Sequence, residues 1–139
     1  MATFNKFNQF VADCANKVHN LGSDTLKIAL SNSAPSASNT ILSNITQVTA
    51  ANGYTSGGNS VTITSSTQSS GTYKLIGNDV TFTASGGSIG PWEYAVIYNS
   101  TAASGNLIGW WSYGTTITIT DGNSFTVDLD QVNGILQLV

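Results

Sequence analysis

Apolar residues in the first segment fall at Phe4, Phe7, Val11, Cys14, Val18 and Leu21, a spacing of three and four that draws one stripe along a helix. Thr3 can cap its start and Gly22 its end, so the pattern predicts an N-terminal helix over about residues 4–21. Such a stripe can pack on the chain's own β-core or against a neighbouring subunit, but it is too short to hold an oligomer alone.

From Thr25 the period changes. Leu26, Ile28 and Leu30 alternate with Thr25, Lys27 and Ala29, as in a half-buried strand. Residues 31–59 are mainly small and polar, with Ile41, Leu42, Ile45 and Val48 as occasional anchors. They read as a long, partly ordered connection containing one short element and ending in a surface, mobile loop, Asn52-Gly53-Tyr54-Thr55-Ser56-Gly57-Gly58-Asn59. Short strands then follow at Val61–Thr64, Thr72–Ile76, Val80–Ala84, Glu93–Tyr98, Leu107–Tyr113, Thr115–Thr120, Phe125–Asp130 and Ile135–Val139. Asn133-Gly134 between Leu129–Val132 and Ile135–Leu138 has the form of a two-residue hairpin, and Asp121-Gly122 makes a similar break. Eight or nine strands with no helix between them predict a mainly β, single-domain β-sandwich over about residues 25–139. It is jelly-roll-like, carries one N-terminal α-helix, and has an up-and-down barrel as the alternative.

Composition sharpens this picture. The chain has 139 residues, enough for one domain with a sizeable core, and is 40% hydrophobic. Charged residues make up only 8%, against about 25% in ordinary domains, so Ser, Thr and Asn must supply the polar surface. Lys6, Lys17, Lys27 and Lys74 are scattered, and the net charge is -3, which speaks against neutralising a phosphate backbone or anchoring on anionic lipid. The N-terminus has no signal-peptide pattern and no stretch is long enough to span a membrane, so synthesis and folding in a cytoplasm are expected. The sequons at Asn44 and Asn99 are then ordinary polar positions. With a single cysteine, Cys14, no internal disulfide and no structural zinc site are expected. A surface with so few charges is weakly protected against self-association, which hints at life in an assembly.

Candidate chemistry is sparse. Asp128 and Asp130 share a strand face opposite Phe125, Val127 and Leu129, which places them in water. Glu93 and Asp79 are the only other carboxylates that a glycosidase reading could pair, and their spacing does not support it. His19 lies beside the helical stripe, at the rim or exposed, and Gly86-Gly87-Ser88-Ile89-Gly90 lacks the Lys and helix of a phosphate loop. Neither catalytic residues, nor a cofactor, nor a metal site is expected.

The aromatics say more. Trp110 and Trp111 are adjacent on a strand, so one must face the core and the other solvent or a partner. Together with Trp92, Tyr113, Phe4 and Phe7 they form the candidate interface. Three outcomes are open: a protein contact, a sugar-stacking platform, or a second Trp covered by a loop or the N-terminal helix.

Several strings carry a resemblance. They are Leu21-Gly22-Ser23-Asp24-Thr25-Leu26-Lys27-Ile28-Ala29-Leu30-Ser31-Asn32, Asn52-Gly53-Tyr54 through Gly57-Gly58, Ala84-Ser85-Gly86-Gly87-Ser88-Ile89-Gly90-Pro91-Trp92 and Leu107-Ile108-Gly109-Trp110-Trp111-Ser112-Tyr113-Gly114. With the ending from Asp121-Gly122 to Asn133-Gly134, the chain resembles a family of small virion structural proteins of tailed bacteriophages. The resemblance implies a capsid decoration, or cement, protein that sits on the outer shell as a homo-oligomer, trimer favoured, with the major capsid protein or another virion protein as partner. A tail or fibre component, including one that binds host glycan, is the alternative. The family strings hold no catalytic residues to carry over.

Overall fold

The computed structural model describes residues 2–139. Phe4–Lys6 form strand β1, followed by a one-helix segment, α1, at Gln9–Ala15. Strand β2 spans Leu26–Ser31, and a 3-10 turn at Leu42–Asn44 interrupts the long connection. The remaining strands are β3 Asn59–Val61, β4 Ile63–Ser69, β5 Thr72–Gly77, β6 Val80–Thr83, β7 Ile89–Asn99, β8 Leu107–Ile119, β9 Ser124–Val127 and β10 Leu136–Leu138. A five-stranded antiparallel sheet, ordered β1-β8-β7-β2-β3, opposes a three-stranded sheet, β10-β5-β4, and a two-stranded one, β6-β9. This is the mainly β sandwich with one helix that the period-two pattern predicts.

The main core lies between the sheets. Leu26, Ile28, Leu30, Ala95, Ile97 and Trp111 of the large sheet meet Leu75, Val80, Phe82, Val127 and Leu136 from the other side. The large sheet is also covered on its second face, where Phe7, Ala29, Ile45, Val96, Tyr98 and Leu107 form a smaller cluster. Strand β2 is therefore buried on both faces at its centre, not half-buried, because the segment after it folds back over Ala29.

That segment is partly ordered, with the 3-10 turn as its one short element. Ser31 bridges to Gln47 and Ile41 to Asn106. Within the loop expected to be mobile, Tyr54 is 3% exposed; its hydroxyl accepts from the Leu30 amide at 3.1 Å and donates to Gln47 Oε1 at 2.7 Å. Gly58 adopts φ +75°, and a Cβ there would lie 1.8 Å from the Ile28 carbonyl oxygen, so the loop closes onto β2 only with glycine.

The N-terminal helix is shorter than the apolar stripe predicts. Residues 4–6 pair instead with β8, Phe4 opposite Trp111 and Lys6 opposite Gly109, and α1 covers only seven residues. An available strand edge outweighs weak helix propensity in a segment rich in Asn. The helix ends at Asn16 with Lys17 in the left-handed region, φ 64°, and the Val18 amide bound to the Asp13 carbonyl. Neither Thr3 nor Gly22 caps it. The helix buries Phe10 and Asp13, while Val11 is 55% exposed.

Other boundaries shift for local reasons. Strand β4 continues to Ser69, beyond the expected Thr64, because Ser70 (φ 52°) and Gly71 (φ 83°) close a tight hairpin onto β5. The two strands expected at 107–113 and 115–120 are one, β8, which runs through Gly114. Asn133-Gly134 is a turn but joins no hairpin: β9 stops at Val127, and β10 pairs with β5. The turn is organised by Asp130, whose Oδ1 accepts from the amides of Val132 and Asn133, both at 2.8 Å.

Candidate functional site

The six aromatics of the candidate interface are placed mainly inside the protein. Trp92 and Phe7 are fully buried, Trp111 is 5% exposed, and Phe4, Tyr113 and Trp110 are half-buried. Of the adjacent pair, Trp111 faces the main core and Trp110 the second face. The N-terminal arm straddles the edge of β8, with Phe4 against Trp111 at a ring-centroid distance of 5.3 Å and Phe7 against Trp110 at 4.6 Å. Trp92, Tyr113 and Phe125 form a triad of edge-to-face contacts at 4.9–5.4 Å. Burial pushes the Tyr113 hydroxyl up to about 12, with the Asp128 charge adding to it. Three of these rings are buried and the other three are half-buried against the two clusters, so they do not form an open stacking platform.

A polar cluster lies where α1, the following turn and the end of β7 meet. Sequence reading puts His19 at the rim; the structure buries it to 8% exposure, beside Asp13 at 5% and Asn99 at 0%. Asn99 Oδ1 accepts from the amides of Thr101 and Ala102, which fixes the orientation of its side-chain amide. Its Nδ2 therefore donates to Asp24 Oδ2 at 2.6 Å and to His19 Nδ1 at 3.1 Å. An accepting Nδ1 makes His19 the neutral tautomer with its proton on Nε2, which faces Asp13 Oδ2 at 4.0 Å without a hydrogen bond. Asp13 is held by Gln9 Nε2 and Asn106 Nδ2, each at 3.0 Å. Burial holds the imidazole below its ordinary value, against the opposing pull of Asp13 and Asp24. The signal for this site was Asp13 in the helix with His19 and Asp24 just after it, which a stripe of apolar residues masks.

A groove of about 520 Å³ opens beside the cluster, lined by Cys14, Val18, Leu21, Tyr73 and Leu138 among others. His19 also lines the groove, but its Nδ1 lone pair is taken by Asn99 and its Nε2 carries the proton, so the imidazole offers no lone pair to a molecule there. Burial, followed by the Asp13 charge, raises the Cys14 thiol, which keeps it protonated and weakly nucleophilic. Asp79, which spacing does not pair with Glu93, accepts from the Leu129 amide at 2.8 Å and from Gln131 Nε2. Asp128 is exposed, as expected, whereas Asp130 is occupied in its turn. Among the described residues, no three His, Cys, Asp or Glu side chains converge as metal ligands, and no helix is long and apolar enough to cross a membrane.

What the strands do present outward is a set of neutral hydroxyls. Thr81 and Thr126 are hydrogen-bonded across β6 and β9 at 3.0 Å, and Thr83 and Ser124 at 2.7 Å. On the small sheet, Ser65 and Thr67 pair at 3.2 Å on a face shared with Thr72, Lys74 and Gln137. Each hydroxyl stands on paired backbone, so the surface is already ordered before anything binds. Comparison with protein-family models, curated proteins and solved structures finds no match to this chain.

Proposed function

We propose that this chain is a structural protein of a tailed-bacteriophage virion, acting as a decoration protein that binds the outer capsid surface and joins neighbouring capsomers. The observation that carries the reading is the ordered hydroxyl face of β6 and β9, strands without a charged residue, with its Thr81–Thr126 and Thr83–Ser124 pairs. Burying a neutral hydroxyl costs far less than burying a charge, and each can be satisfied by a hydrogen bond across an interface. Many copies on a repeating shell then add avidity to a modest single contact. The strings from Leu21 to Asn32 and from Leu107 to Gly114 support the same class by resemblance. Adhesion, not catalysis, is the mechanism, and its contact surface is the hydroxyl faces in place of the aromatic rings, which are spent in the core.

Cryo-electron microscopy of the assembled particle tests this. Density on the capsid lattice, bridging capsomers through β6 and β9, is the expected result. Density confined to the tail would overturn the decoration role and turn attention to a tail or fibre component that recognises host glycan. A single Thr126→Lys variant should weaken binding to capsids while changing the thermal transition little, because the side chain is exposed and loses only one hydroxyl pair.

A further inference from the structure

The strand edges of this fold are unequal. β1, β3 and β10 have three residues each, with Lys6 on β1, and β6 and β9 have four each. Short or charged edges are the usual protection against edge-to-edge pairing. β4 has seven residues, Ile63-Thr64-Ser65-Ser66-Thr67-Gln68-Ser69, with no charge and no proline. It pairs with β5 on one side and ends the small sheet on the other. A bulge between Ile63 and Ser65 twists only its start, leaving Ser65–Ser69 regular.

The hairpin geometry states which groups are free. Ser69 and Thr72 close the two-residue turn and exchange both backbone bonds, so the bonded pairs alternate to Thr67 with Lys74 and Ser65 with Ile76. The N–H and C=O groups of Ser66 and Gln68 therefore point away from β5, at the open edge. No described backbone or side-chain partner takes them.

We propose that this edge pairs antiparallel with β4 of a second copy of the chain, across a two-fold axis centred on Thr67. Ser66 of each copy then bonds to Gln68 of the other, four backbone hydrogen bonds in all, and the two small sheets become one six-stranded sheet. A two-fold sets every residue against a symmetry mate, so an edge charge would meet its own sign; β4 has none to repel. Thr67 faces Thr67, a favourable cross-strand pair. The nearest like charges, the two Lys74 side chains, start three strand spacings apart, about 14 Å, beyond a physiological Debye length of about 8 Å. This pairing is independent of the virion reading and replaces, with a two-fold, the three-fold arrangement that the resemblance implies.

Sedimentation velocity over a dilution series of the full chain tests it, alongside Thr67→Lys. The wild type should form a dimer. Opposed lysines should weaken that dimer about tenfold or more; because Thr67 also stands across from Lys74 within one copy, Thr67→Gln, long but uncharged, is the control that should keep the dimer. In a Cys14→Ser background, Thr67→Cys should oxidise to a covalent dimer, since directly opposed residues of a non-bonded pair are within disulfide reach. Ser65→Cys should not, because its symmetry mate lies about 13 Å along the strand. A monomer at every concentration, a trimer, a dimer that Thr67→Lys leaves intact, or equal cross-linking through Ser65→Cys each overturns the proposal.

Discussion

Phe7 lies over Trp110 with ring centroids 4.6 Å apart, and this contact closes the second face of the large sheet. It also answers the question that two adjacent tryptophans pose, since Trp110, the one turned away from the main core, is half covered by the chain's own arm. Truncation to Phe7→Ala should destabilise the protein by about 3–5 kcal/mol, the range for a fully buried ring. Denaturant unfolding checks the magnitude. Acrylamide quenching of tryptophan fluorescence should increase in the variant's native state as Trp110 becomes exposed.

The neutral, buried His19 makes stability depend on acid. Its folded pKa is lowered from the ordinary 6.5, so as pH falls the unfolded chain takes up the proton first. The stabilisation is present above about 6.5 and is lost as pH falls from there towards the folded value, at a rate of at most about 1.4 kcal/mol per pH unit for one proton. Melting temperatures between pH 7 and pH 5 should fall in the wild type and change less in His19→Gln. An equal slope in both proteins would assign the acid sensitivity to other groups.

Tyr54 gives the opposite sign at high pH. Burial is the main cause that pushes its hydroxyl up to about 12 from the ordinary 10, so its contribution is intact below 10 and lost as pH rises through about 12. Spectrophotometric titration should show late steps near 12 for Tyr54 and Tyr113. Tyr54→Phe should remove one late step and cost about 1–3 kcal/mol, because the Leu30 amide loses its buried acceptor.

The β4–β5 turn is open to improvement. Ser70 sits in the left-handed region at φ 52°, where asparagine is better tolerated than serine. Ser70→Asn should raise stability by roughly 0.5 kcal/mol, part of the usual penalty of about 1 kcal/mol for that conformation, and a small rise in melting temperature would show it. No gain would mean that the strand register, not the turn, governs this hairpin.

The centres of β2, β7 and β8 are legible in the sequence because burial in the sheet enforces their apolar residues, although β7 begins earlier and β8 runs on through Gly114. Strand β4 escapes because Ser, Thr and Gln carry no apolar period; it exists through its pairing to β5. The polar cluster escapes for a related reason. His19 and Asp24 are near neighbours, but Asn99 lies 75 residues beyond Asp24, and only the return of β7 beside the turn after α1 brings it to the other two.

By itself, the order of apolar and polar residues determined that this chain is a β-sandwich with few charges, because alternation and turn residues act over a few neighbours. It likewise required one of Trp110 and Trp111 to point inward. The tertiary structure alone decided which one, drew residues 4–6 into a strand in place of a helix, and buried His19. Each of those outcomes depends on a partner far away in the chain, and local propensities of a few tenths of a kcal/mol per residue yield to such contacts.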